Sequence, residues 1–218
     1  VLIPKGTYPV TALFLKSDMI LELQENAVLA GIYDRARTPI LPGQIEYDNE
    51  DGYYNLGSWE GNPIDSFASM ITGIHVKNVT ICGKGVLDGR ADFENWWSRP
   101  KDKIRAWRPR MIFLNHCENI TVVGVTVQNS PAWNLHPYFS NQIRFLDMEV
   151  KGPANSHNTD GCDPESCTNV EIAGVHFSVG DDCIAIKSGK IYMGKKFKVP
   201  SKHIHIRQSW MQDGHGAV

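Results

Sequence analysis

One short pattern recurs along this chain at solenoid-sized intervals. Residues 78–81 read NVTI, residues 119–127 NITVVGVTV, residues 143–150 IRFLDMEV, residues 170–177 VEIAGVHF and residues 204–211 IHIRQSWM. Each is an apolar-x-apolar strand, usually preceded by Asn or His, and in three of them a second apolar-x-apolar pair follows a kink. The first apolar positions are Val79, Ile120, Ile143, Val170 and Ile204, separated by 41, 23, 27 and 34 residues. Repeats of this size are the signature of stacked architectures in which each unit buries its apolar face against the next. The period within each unit is 2, not 3.6, so the units are strands and not helices. The expected fold is all-β, a right-handed parallel β-helix, with Val, Ile, Leu and Phe stacked inward and Asn, Gly and Asp at the turns. An earlier coil is expected from MILEL (19–23) and AVLAG (27–31).

Two stretches depart from the repeat. Residues 32–68 carry Tyr33, Tyr47, Tyr53, Tyr54 and Trp59, and residues 88–110 carry Trp96, Trp97, Trp107, Arg105, Arg108 and Arg110. Such long insertions usually have a function of their own or are disordered. Their aromatic rings suit either sugar stacking or plain packing.

The composition is that of an ordinary globular chain, with 42% hydrophobic and 21% charged residues. A formal net charge of −2 argues against nucleic acid or an anionic membrane surface as a partner held by bulk charge. No apolar run reaches the ~18 residues of a membrane span. The five cysteines, Cys82, Cys117, Cys162, Cys167 and Cys183, show no zinc-ligand spacing. A Cys162–Cys167 bridge is open on proximity alone, and buried reduced thiols are the expected state.

Three aspartates concentrate the chemistry. Asp160 sits in NTDG and Asp181 and Asp182 in VGDDC, 21 residues apart and thus about one coil, and His215 follows Asp182 by 33 residues. Equivalent positions on neighbouring coils lie ~4.8 Å apart, so these residues are expected to form a row on one face. Carboxylates that close cannot all ionise freely, and at least one pKa should rise. One protonated and one ionised acid is the requirement of glycosidic hydrolysis. A lone Asp would be read as a turn former.

NTDG (158–161), GDD (180–182) and GHG (214–216), in this order on a β-helix repeat, resemble glycoside hydrolase family 28, the polygalacturonases. GKGVLDG (83–89), NSPAWNLHP (129–137) and GDDCIAIKSG (180–189) extend the resemblance over nearly the whole chain, and the combination looks most like the bacterial, often exo-acting, branch. The resemblance implies an enzyme cleaving α-1,4-galacturonosyl links of pectin with inversion. Asp181 would be the general acid, Asp160 and Asp182 the pair that activates water, and His215 the residue that tunes the acid. Asn158 would touch substrate, and His157, Lys187 and His136 are further candidates for substrate contact. It implies no metal and no cofactor, and pectin or an oligogalacturonide as the partner. A secreted or periplasmic location suits that substrate, and a cytoplasmic one stays open.

The family's further Arg-Ile-Lys motif, which holds the substrate carboxylate, would follow GHG and is absent before Val218. Residues 1–218 are therefore expected to be a single β-helix domain truncated at both ends, with little hydrolase activity of its own. Lys187 and the cluster Lys195, Lys196 and Lys198 are the candidates to supply the missing cation, though a solvated loop face is the expected role of the cluster. The alternatives are a rhamnogalacturonan or xylogalacturonan hydrolase, or a non-catalytic carbohydrate-binding β-helix segment. A pectate lyase would need calcium carboxylates and an arginine base in a different pattern.

Overall fold

The computed structural model describes residues 1–218. The chain winds as a right-handed parallel β-helix with three sheets running along its axis. The first sheet stacks Leu2–Ile3, Met19–Leu23, Lys77–Gly83, Glu118–Val123, Asn141–Leu146, Thr168–Ala173 and Lys202–Arg207. The second stacks Gly6–Val10, Ala27–Gly31, Val86–Asp88, Thr126–Gln128, Glu149–Lys151, His176–Ser178 and Trp210–Asp213. The third stacks Leu13–Phe14, Ile71–Ile74, Ile112–Asn115 and Leu135–Tyr138. It continues through single parallel bridges from Leu135 to Cys162 to Ile184 and from Tyr138 to Glu165 to Lys187.

The register is set by the inward side chains. Met19, Val79, Ile120, Ile143, Val170 and Ile204 form one column. Leu21, Ile81, Val122, Phe145, Ile172 and Ile206 form the next. Leu29, Leu87, Val127, Val150, Phe177 and Met211 line the second sheet. All of these but the partly buried end residues Met19, Ile204, Ile206 and Met211 belong to one continuous buried core. A one-residue slip on any coil would turn its column outward, so burial enforces the stacking.

The Asn or His ahead of each strand of the first sheet has a backbone reason. Asn78, Asn119, Asn169 and His203 all adopt φ between 53° and 58°, as do Asp18 and Gln142 in the same turn of their coils. Asn tolerates this left-handed conformation better than most residues. The Asn119 amide donates to Asn78 Oδ1 (2.9 Å), and that of Asn78 to Asp18 Oδ1 (2.7 Å), forming a ladder along the stack.

Residues 32–68 build three antiparallel strand pairs, Ile40–Leu41 with Ser66–Phe67, Gln44–Glu46 with Tyr53–Asn55 and Ser58–Trp59 with Asn62–Pro63. This lobe covers the outer face of the third sheet, where Leu41, Tyr54, Leu56 and Ala68 pack with Phe113, Tyr138 and Met193. Met193 comes from the one short helix, Tyr192–Phe197. Trp96 and Trp97 are buried with Phe67, Ala91 and Ala106 and anchor the second insertion, so packing is what these two rings do. All five cysteines are free thiols, four of them buried, with no Cys162–Cys167 bridge.

Candidate active site

The turns joining the second sheet to the third carry NTDG, GDD and GHG on successive coils. Their backbones are hydrogen-bonded to one another: Gly161 N–H donates to Asp182 O (2.9 Å), Cys162 N–H to Cys183 O (3.0 Å) and His215 N–H to Asp181 O (3.1 Å). The motif glycines are demanded by this close approach. A Cβ on Gly161 would lie 2.4 Å from the Cys183 carbonyl oxygen, and one on Gly180 would lie 2.3 Å from that of Ser156. Gly180 N–H also donates to Thr159 Oγ1 (3.1 Å), whose hydroxyl is 2.6 Å from Ser156 Oγ, so both turns share one polar network.

The stacking brings Asp160, Asp181 and Asp182 together, with one carboxylate oxygen from each within 4.8 Å of the others. Asp181 Oδ1 accepts from the Asp182 N–H (3.1 Å) and stands 3.3 Å from His215 Nδ1. His215 is exposed, Asp181 and Asp182 are half-buried, and Asp160 is buried. Burial, with a smaller contribution from Asp181, pushes the Asp160 carboxyl up to about 6 against the opposing pull of Lys187. The expected like-charge conflict thus falls on the most buried of the three acids. The same spacing is one that a cation could bridge, and here the ammonium of Lys187 already stands beside Asp160.

Lys187 is the fifth member of the cluster. Its Nζ lies 3.6 Å from Asp160 Oδ2, 3.1 Å from Asp163 Oδ1 and 4.6 Å from the centroid of Trp133. Burial alone would lower its pKa, but Asp163 and Asp160 outweigh that and hold it raised. Trp133 in turn stacks on Trp59 (4.2 Å, 17°), a ring from the lobe that is only half-buried. A cleft of about 320 Å³ beside the cluster is lined by Glu60, Glu165, Lys187, Ser188 and Lys190, with Lys190 paired to Glu60 at 2.6 Å.

The other expected contacts divide. Asn158 and His157 lie on the NTDG turn and are held from the second insertion: the buried Arg108 donates to Asn158 Oδ1 (2.7 Å) and to the His157 carbonyl (2.8 Å). The His157 side chain is exposed beside Phe93. His136 corrects the sequence-based expectation. It is wholly buried, its Nε2 is 3.0 Å from Glu165 Oε2, and burial pushes its pKa down to about 4. It sits under Trp133 and Phe113 and cannot touch a ligand in the cleft. Lys196 pairs with Asp51 (3.6 Å) over the Tyr53 ring, tying the helix to the lobe and not to the acids.

Arg108, Trp133, Asp163 and Glu165 were not singled out as site residues from sequence. Asp163 and Glu165 belong to the same NTDGCDPESC stretch as Asp160, but acids between Pro and Cys in a turn-rich run read as turn formers. Their burial becomes visible only once CDPE is recognised as a strand beneath a lobe. A larger cleft, about 470 Å³, lies elsewhere, on the outer face of the first sheet between Arg144 and Arg207, and shares no residue with this cluster.

A family model described as glycosyl hydrolases family 28 matches residues 50–217, which include the whole acid row. The chain belongs to glycosyl hydrolase family 28. Among relatives, it is 32% identical over 208 residues to a probable polygalacturonase of Vitis vinifera, covering 94% of this chain and 40% of the relative. It is 31% identical over 182 residues to an endo-polygalacturonase of Pectobacterium carotovorum, covering 78% and 42%. The family 28 chain thus spans about two fifths of the length of the curated relatives it matches. Among solved structures it superposes on a hyperthermoactive exopolygalacturonase from Thermotoga maritima with a TM-score of 0.78 at 26% identity, covering 96% of this chain and 51% of that one. A family 28 exopolygalacturonase from Yersinia enterocolitica gives 0.79 at 23%, covering 99% and 44%, a likeness of fold.

Proposed function

We propose that this family 28 chain carries the hydrolytic centre of a polygalacturonase, cleaving α-1,4-galacturonosyl links by single displacement. The observation that carries the reading is the convergence of Asp160, Asp181 and Asp182 within 4.8 Å on stacked turns, with His215 3.3 Å from Asp181. A turn-forming or purely binding role gives no reason to set three acids against one another at a like-charge cost. Asp181 serves as general acid, since it is solvent-accessible and orientated by His215 and by the Asp182 amide. Asp160 and Asp182 hold and deprotonate the attacking water. The likeness to relatives named as polygalacturonases supports a galacturonan as the substrate.

The spacing is shorter than the ~6.5–9.5 Å usual between the carboxyl groups of an inverting pair. Inversion is retained because the family resemblance assigns the water to two acids jointly, Asp160 and Asp182. A water seated between their oxygens does not need the wider gap of a single base facing a single acid. Reducing-sugar release from polygalacturonate, assayed in the full-length product of the gene, tests the proposal. Asp181→Asn should reduce turnover by at least ~10². Equal rates in the wild type and the variant would refute it. Rhamnogalacturonan and xylogalacturonan, assayed in parallel, discriminate the substrate.

A further inference from the structure

Asp163 is a carboxyl at this site to which the proposed function gives no work. It is fully buried, in register between His136 on the preceding coil and Ala185 on the following one. Neither of its oxygens has a hydrogen-bond partner of good geometry, and Asp160 Oδ1 is unpartnered as well. Lys187 Nζ, 3.1 Å from Asp163 and 3.6 Å from Asp160, stands against both acids.

The groups around it do not balance if every acid is ionised. Facing this pocket are the buried carboxyls of Asp160, Asp163 and Glu165, the half-buried Asp181, and the cations Lys187 and Arg110. The thiol of Cys162 is fully buried and pushed up by that burial, so it stays neutral. His136 is neutral, being pushed down by burial. Arg110, which donates to Ser58 O and Ser66 Oγ, lies nearer in influence to Glu165 than to Asp163. Two cations, the buried Arg110 and the half-buried Lys187, therefore serve three buried carboxyls, and an uncompensated buried carboxylate neutralises itself by taking a proton. The acid with least access to water is Asp163, and the one ammonium beside it, that of Lys187, is shared with Asp160. Its burial and its contact with Asp160 both favour its protonated form, while that contact favours the ionised form of Asp160.

We propose that Asp163 is a protonated aspartic acid at neutral pH whose hydroxyl donates to the Asp160 carboxylate. Asp163 is thus a positioning residue: with Lys187 it holds Asp160 ionised and aimed, although Asp160 is buried. The pair supplies the donor and the cation that a sealed site denies to water. The role rests on the proposed function of Asp160 as base, but the protonation state does not.

Infrared difference spectroscopy at about pH 8, where ordinary aspartates are ionised, reads that state without turnover. The wild-type protein should show a protonated-carboxyl band that shifts on carboxyl-13C labelling of aspartate. Asp163→Asn should lose the band and Asp181→Asn should keep it. Loss of a carboxylate band in Asp163→Asn instead, or no protonated aspartate in the wild type, overturns the proposal. In the pH profile of hydrolysis, Asp163→Asn keeps a neutral donor and should leave the acidic limb in place. Asp163→Leu removes the donor and should move that limb to higher pH by about one unit. An acidic limb moved to lower pH in Asp163→Asn would mean that the native group is ionised. Absence of hydrolysis in the wild type would count against the proposed function and leave the spectroscopic result standing.

Discussion

Replacing Lys187 with Met keeps the length of the side chain and removes the charge that faces two buried acids. At ~20 for the effective dielectric, a unit pair 3.6 Å apart gains about 4–5 kcal/mol. Part of this is offset because the ammonium no longer has to be desolvated, so a net loss of about 2–4 kcal/mol is expected at pH values where wild-type Asp160 is ionised. The sign follows from the proton balance. Asp160 is raised from 3.8 to about 6 in the folded protein even with Lys187 present. Removing the ammonium raises it further, so the folded variant holds a proton that the unfolded chain has lost. Its stability relative to wild type must then fall as pH rises through about 6, where Asp160 ionises in the wild type but not in the variant, and above. Urea unfolding of both proteins at about pH 4.5 and about pH 8 gives the comparison. The difference should be small in acid, where Asp160 is protonated in both, and full in base. An equal loss at both pH values would show that Lys187 acts through packing against Trp133 and not through charge.

Other consequences are as direct. Phe145→Ala empties a fully buried site between Val122 and Ile172 and should cost about 3–5 kcal/mol, lowering Tm by roughly 10 °C in thermal unfolding. Gly180→Ala sets a Cβ 2.3 Å from the Ser156 carbonyl oxygen, so the GDD turn must move. A displacement of ~1 Å should reduce kcat/KM about 10²-fold while Tm falls modestly. Asp160 must be ionised to act as base and titrates at about 6, so kcat/KM should rise with pH up to and through that value. A flat profile across this range would remove Asp160 from the base role.

The repeat was legible because burial leaves it no freedom. The five first apolar positions read from sequence, Val79 to Ile204, occupy a single column, and the MILEL and AVLAG segments form an earlier coil of the same two sheets. The third sheet was not legible as a unit. LHPY, CDPE and IAIK are short and two contain Pro, and LHPY and CDPE are buried on both faces, so the alternation that marks a half-exposed strand is lost there. The acid row was readable from spacing plus motif, since one coil of separation converts directly into vertical contact. Lys187 reads in sequence as a candidate hand for the substrate, and its contacts with Asp160 and Asp163 on the neighbouring coil are encoded by no local pattern. His136 failed for the complementary reason: its strand position faces the lobe, and only the lobe's placement buries it.

The proposed hydrolysis requires the acid row to work as one acid and one water-activating pair. Proton NMR of the first product released from polygalacturonate by the full-length protein reads this before mutarotation blurs it. The new reducing end should appear first as the β-anomer, the inverted configuration of an α-link. Initial appearance of the α-anomer would mean that one of Asp160, Asp181 and Asp182 attacks the sugar itself, and would contradict the assignment of roles made here.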